Sequence, residues 1–297
     1  MEESKYQSLP KVDEMKLISN DEMCHACGQT GMGGRKENQD TYGGVATNQA
    51  VILTVCDGMG GMAGGQTASY LAVTEIIKTL AETPEDKMGP DAIRHAVENA
   101  NSSIYQRAVN EPSLRGMGTT ATILVLTHYA AYLTHVGDSR IYLMRKKRKS
   151  FRTFDHSKVF EMVSQGLMTE EQARQSSFSN IITRALGIRP KVEIEVETLP
   201  YKKGDRFVLC CDGIWNTEPE AEILKLFTFD KSPEVTIQKL TEYVNSKGIE
   251  RGGDYDNLTA IIADMKRKSK YQYGFLHYLK VLGVETGKYL KKMFKNK

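Results

Sequence analysis

Five aspartates constrain this chain more than any other feature, each standing beside a small or amide residue where an apolar run gives out. They fall in Arg35-Lys36-Glu37-Asn38-Gln39-Asp40, Val55-Cys56-Asp57-Gly58-Met59-Gly60-Gly61, Gly137-Asp138-Ser139-Arg140, Cys210-Cys211-Asp212-Gly213 and Asp256-Asn257. An Asp-Gly at a strand end is most often only a turn, so no single one of these carries the argument. Together they put five carboxylates at strand ends, with one arginine and no nearby histidine pair. That set suits hard divalent cations held by oxygen. The arginine adds a planar, two-pronged grip for a phosphate. The combination points to phosphate-ester hydrolysis.

The runs Ala50–Val55, Ala121–Leu126, Ala130–Val136, Arg206–Cys211 and Asn257–Ala263 are rich in β-branched and apolar residues and bounded by glycine or aspartate. They read as strands. Between them, residues 64–82, 90–109 and 233–247 repeat apolar positions every three or four residues, as helices do. Strands come in runs before and between the helices, which predicts layered α+β rather than regular βαβ alternation. Residues 1–22 are expected to be a flexible leader, polar and unlike a signal peptide. Segment 158–181 interrupts the strand order, and its Met168-Thr169-Glu170-Glu171 predicts a turn into a helix. The run Arg145–Lys149 predicts a hairpin tip after a strand over 140–144, a solvated turn or else an electrostatic funnel for acidic partners.

In order, RKENQD (35–40), DGMGG (57–61), GTT (118–120), GDSR (137–140), DHS (155–157), ITRALG (182–187), CDGIW (211–215) and DNLT (256–259) resemble the bacterial-type metal-dependent serine/threonine protein phosphatases, the type 2C or PPM family. The similarity runs from about residue 24 to about residue 265. It implies a four-layer αββα sandwich of two antiparallel sheets, with the site at one edge and a flap at about 158–181. It also implies two Mn2+ or Mg2+ ions. By the resemblance Asp57 bridges both, Gly58 offers its carbonyl to one, and Asp212 and Asp256 complete the shell of the other. Asp40 stands behind a metal-bound water, Asp138 with Asp212 holds a third, weaker ion, and Arg35 clamps the substrate phosphate. Two such ions would activate a water and neutralise the phosphoryl oxygens. Some members carry histidine directly after the Asp-Gly; here Met59 stands there. A proton for the leaving group would then come from metal-bound water, or from another group such as His156.

Several patterns are decoys. Gly60–Thr67 departs from a phosphate-binding loop at one residue, with glutamine where the lysine belongs. No cysteine has the arginine six residues on that a cysteine phosphatase needs. Asp254-Tyr255-Asp256 lacks the Thr or Val of an aspartyl-phosphate motif. Cys24-His25-Ala26-Cys27 has zinc spacing without a second pair. The five cysteines read as reduced core thiols of a cytoplasmic protein. One Trp and no interleaved aromatics speak against nucleic acid. The expected partners are phosphorylated proteins and a Ser/Thr kinase, with the chain a monomer. The competing readings are a non-catalytic phosphoprotein-binding module of the same fold and a small-molecule phosphatase; the first would be expected to have lost ligands, and none is missing.

Residues 266–297 hold ten of the 40 basic residues and a single acid, Glu285, leaving an acidic body. There Phe275, Tyr278, Leu279, Leu282, Tyr289, Leu290, Met293 and Phe294 fall near one helical face, with the lysines mostly elsewhere. A docked helix, a segment lying on an anionic membrane and a partner-recruiting element all fit this extension.

Overall fold

The computed structural model describes residues 12–272, apart from 21, 177, 179, 180 and 230. In chain order the strands and helices are β1 (Lys16–Asn20), β2 (Cys24–Gly31), β3 (Asp40–Ala46), β4 (Ala50–Met59), α1 (Gly61–Ala81), α2 (Pro90–Asn110), β5 (Gly118–Thr119), β6 (Ala121–Thr127), β7 (Ala131–Val136), β8 (Arg140–Arg145) and β9 (Arg148–Arg152). There follow α3 (Lys158–Ser164), α4 (Glu170–Arg174), β10 (Glu197–Leu199), β11 (Arg206–Cys210), α5 (Asp212–Trp215), α6 (Glu220–Phe227), α7 (Pro233–Glu250) and β12 (Leu258–Met265).

One sheet has the order β1-β2-β12-β11-β8-β9, the other β10-β7-β6-β4-β3, with β5 paired to β4. All the pairings are antiparallel. The central strands are apolar on both faces because both faces are covered. In β4, Val51, Leu53 and Val55 meet the facing sheet, while Ile52 and Cys56 pack under α1 and α2. In β11, Phe207 and Leu209 face inward, while Val208 and Cys210 lie under α6 and α7. Successive side chains on a strand point to opposite faces, so one run of sequence feeds two cores. The result is the four-layer α+β sandwich: α1 and α2, two antiparallel sheets, then α6 and α7.

Three expectations need correction or sharpening. The leader expected over 1–22 ends early: Lys16–Asn20 is an edge strand paired with β2, and Ile18 is buried between the sheets. Asp212 does not end a strand but opens α5. The C-terminal extension is not separate from residue 266 on. Ser269 N–H donates to the Tyr201 carbonyl, Lys270 to that of His128 and Tyr271 to that of Tyr129, strapping the chain across the body. The amphipathic stretch 273–297 lies outside the described residues, as do residues 1–11.

Segment 158–181 leaves the sandwich as the short helices α3 and α4 around a small apolar cluster of Val159, Phe160 and Ala173. Thr169 caps α4 with a reciprocal capping box to Gln172, as the sequence predicts. Arg145–Lys149 does turn a hairpin; Lys146 and Lys147 occupy the left-handed region at φ 50° and 62°. Arg145 pairs with Asp205 and Lys149 with Glu220, so these charges of the run are held by partners on the body. Cys24 faces the inter-sheet core and Cys27 the opposite face of β2; the zinc spacing therefore does not converge. Gly60–Thr67 begins α1 rather than forming a loop over a phosphate.

Candidate active site

At one edge of the sandwich the facing sheets part around a cavity of about 570 Å³ lined by Arg35, Gln39, Asp57, Gly58, Asp138, Asp212 and Asp256 among others. Each aspartate arrives on a different segment. Asp57 lies near the end of β4 and is opposite Asp40 in the β3 ladder. The Gly118-Thr119-Thr120 motif fixes it: Thr120 Oγ1 accepts from Asp57 N–H at 2.9 Å, and Thr119 Oγ1 donates to the Asp57 carbonyl at 2.9 Å. Asp138 follows β7, Asp212 opens α5, and Asp256 stands two residues before β12.

Two glycines let these segments approach. A side chain at Gly58 would meet the Gly65 carbonyl oxygen at 2.1 Å, so α1 could not close against β4. One at Gly213 would meet the Asn257 carbonyl oxygen at 2.0 Å, which would drive Asp212 away from Asp256. Asn257, to which the sequence assigns no role, organises the rim. Its amide donates to the carbonyls of Met32 and Glu37, and its oxygen accepts from Gln39 N–H. The signal was its place beside Asp256.

The electrostatics are unbalanced. Burial, then the neighbouring carboxylates, push the Asp57 carboxyl well above its usual range. Burial likewise pushes Asp138 up to about 8, Asp40 to about 7 and Asp212 to about 6, with nearby aspartates adding to each rise. Asp40 Oδ2 and Asp212 Oδ1 are buried without a hydrogen-bond partner. Asp57 and Asp212 are close enough to hydrogen-bond one another. Buried carboxylates that repel each other and lack donors are expensive unless a cation compensates them.

Among the described residues no three acidic, histidine or cysteine side chains stand as an already closed metal shell. Instead Asp256 is turned to Arg35, which reaches its two oxygens at 3.3 and 3.1 Å. Asp254 lies 3.6 Å from the same guanidinium. The oxygen-only donor set and the orphaned buried oxygens nevertheless fit a hard divalent cation, provided Asp256 lets go of Arg35.

His156 does not suit proton donation. Its ring stacks on His135 at 4.3 Å, and Nδ1 accepts from Gly137 N–H at 3.3 Å. Burial, with His135 and Arg184 nearby, lowers its pKa to about 3. Its neighbour Asp155 is bound by Arg140 through both carboxylate oxygens.

A two-sheet sandwich edged by carboxylates around an arginine defines a phosphohydrolase-like centre, and comparison with known proteins specifies it. The protein phosphatase 2C family matches residues 27–248. The serine/threonine phosphatase stp of Listeria innocua is 31% identical over 255 residues, covering 83% of this chain and 98% of its own length. Protein phosphatase PhpP of Streptococcus pneumoniae is 30% identical over 243 residues, 80% of this chain and 96% of that protein. The crystal structure of the Mycobacterium tuberculosis serine/threonine phosphatase PstP/Ppp superposes with a TM-score of 0.71 at 32% identity, over 82% of this chain and 100% of that one. A structure of the PstP catalytic domain in complex with two manganese ions gives a TM-score of 0.69 at 29% identity, over 82% of this chain and 98% of that one. The chain belongs to the protein phosphatase 2C family, and it is a phosphatase.

Proposed function

We propose that the chain hydrolyses phosphoserine and phosphothreonine esters in proteins with the help of Mn2+ or Mg2+. The observation that carries this reading is a group of mutually repelling carboxyls: Asp57, Asp138 and Asp212 line one cavity with Arg35 at its rim, and Asp40 is buried opposite Asp57 in the β3–β4 ladder. In this assignment Asp57, the Gly58 carbonyl, Asp212 and Asp256 hold two ions, Asp138 with Asp212 holds a weaker third, and Asp40 orients water from behind. Bound there, such ions supply an acidified water and positive charge for the phosphoryl oxygens.

The chain's own residues do the rest. With a cation on Asp256, Arg35, which now holds both Asp256 oxygens, would be free to take two phosphate oxygens in a bidentate grip. Thr119 and Thr120 keep Asp57 from swinging, so its carboxylate is preorganised. Segment 158–181 serves as a flap beside the cavity, bringing Ile182 to its wall. The substrates are phosphoproteins, among them a Ser/Thr kinase and that kinase's targets. Five buried free thiols suit a reducing, cytoplasmic setting. Among the described residues no helix is long and apolar enough to cross a membrane.

Hydrolysis of p-nitrophenyl phosphate and of a phosphothreonine peptide, measured with Mn2+, Mg2+ and EDTA, tests the proposal. Turnover is expected with Mn2+, less with Mg2+, and none in EDTA. Full activity after exhaustive chelation would sink the metal assignment.

A further inference from the structure

Trp215 is the only tryptophan of the chain, and it ends the single helical turn that Asp212 begins. Its indole Nε1–H donates to the Asp138 carbonyl at 3.0 Å. The ring centre lies 3.4 Å from the guanidinium carbon of Arg140. Arg140 holds both oxygens of Asp155 at 2.7 and 2.8 Å and donates to the Tyr142 hydroxyl at 3.2 Å. The Phe160 ring of α3 stands 5.1 Å from the same guanidinium. The residue after Asp155 closes the circuit, because His156 N–H donates to the Gly137 carbonyl at 2.8 Å.

The turn that presents Asp138 is thus held from two sides, by α5 through the indole and by the approach to α3 through His156. Trp215, Arg140, Asp155 and Phe160 are all buried. None of the four lines the carboxylate cavity, so none is a ligand. A planar guanidinium that stacks on a ring while gripping a carboxylate has no equivalent in lysine.

We propose that Trp215 and Arg140 are positioning residues for Asp138, which make the affinity of the Asp138–Asp212 pair for a divalent cation depend on how α3 is seated. The proposal rests on the metal reading above. Ligands are oriented by the groups behind them, and here those groups include one, Phe160, that belongs to the excursion carrying α3 and α4. Displacing α3 takes Phe160 off Arg140 and loosens the stack that aligns the indole with the Asp138 main chain.

The test uses the full chain and three variants. Trp215→Phe keeps a ring on Arg140 but removes the N–H. Phe160→Leu keeps apolar volume on α3 but removes the ring. Arg140→Lys keeps charge alone. Calorimetric titration with Mn2+ should find the tight sites unchanged in number. The Mn2+ concentration for further weak binding, and for half-maximal turnover above the tight sites, should rise roughly ten-fold in each. Trp215 emission in the wild type should respond to Mg2+ over the weak range, and in Phe160→Leu the response should shift with turnover.

A merely structural role would lower the unfolding temperature without moving the metal dependence. Wild-type protein that takes up Mn2+, with both Trp215→Phe and Phe160→Leu showing an unchanged weak-site dependence, would overturn the coupling. Wild-type protein that takes up no Mn2+ would instead fail the metal reading itself. Should Phe160→Leu unfold, Phe160→Met takes its place, with the same outcomes.

Discussion

Two groups of charge meet where Asp138 and Arg140 stand two residues apart, and they are built on opposite plans. Around Arg140 every charge is answered. Asp155 accepts from both arms of the guanidinium, Trp215 and Phe160 cover its faces, and the pair is almost wholly removed from water. Around Asp57 the charges are alike, and one oxygen each of Asp40 and Asp212 has no donor. The second kind is destabilising by itself, and burial with like charges is how functional sites shift their carboxyls. The contrast separates residues that hold the site from residues that act in it.

The largest expected effect follows from removing one charge of the open cluster. Asp57→Asn should lower kcat by about a thousand-fold, several kcal/mol of transition-state stabilisation. The same change should raise the unfolding temperature in EDTA, by about 2–4 °C for each kcal/mol of repulsion relieved. Calorimetric scans in EDTA check this second outcome. An unfolding temperature equal to or below that of the wild type would show that the Asp57 cluster is not an uncompensated one.

The closed cluster should respond in the opposite sense. Asp155→Ala leaves a buried guanidinium unpaired and should lower stability by about 3–5 kcal/mol. Adding Arg140→Met to Asp155→Leu should recover much of that loss, since apolar replacement of a whole buried pair is often neutral. Denaturant titration of both variants measures it. A double variant no more stable than Asp155→Ala would contradict the contrast.

A smaller, pH-dependent effect comes from the stacked His135 and His156 at the border between the two clusters. Burial lowers both pKa values, that of His156 to about 3, from an unfolded value of 6.5. Between those values the unfolded chain binds protons that the folded chain refuses. The contribution of this histidine pair to stability is therefore full above about pH 6.5 and is lost as pH drops toward 3, against the opposite trend of the raised carboxyls. Unfolding temperatures measured from pH 7 down to 4 should fall less steeply in His156→Phe than in the wild type.

The smallest effect belongs to exposed charge that touches neither cluster. Lys146→Asn with Lys147→Gly relieves two left-handed lysines in the β8–β9 turn and should stabilise by about 1 kcal/mol. Its kcat/KM for a phosphothreonine peptide should match the wild type. A fall in that ratio would revive the hairpin as an electrostatic funnel.

Much of the site was legible because its residues announce themselves locally. Asp57, Asp138 and Asp212 each follow a recognisable run and neighbour a glycine, and the order of the motifs carried the family resemblance. Asn257 and Trp215 stood in the same motifs but gave no sign of what they hold, since their partners lie on segments far away in sequence. Residues 16–20 read as leader because their alternation spans only five residues. Ile18 reveals itself as core only once the facing sheet is in place.

The sequence by itself determined the long central strands β4, β6, β7, β11 and β12 and the three long helices α1, α2 and α7, that the chemistry is carboxylate-rich, and the family. Local propensity and short motifs suffice for those, because each depends on neighbours a few residues apart. The tertiary structure alone decided which face of each strand meets which layer, because strands buried on both sides show no alternation to read. It alone placed Arg35 on Asp256, left oxygens of Asp40 and Asp212 without donors, and set the indole of Trp215 against Asp138. Such long-range juxtapositions arise from how the sheets pack, and no local stretch of sequence encodes them.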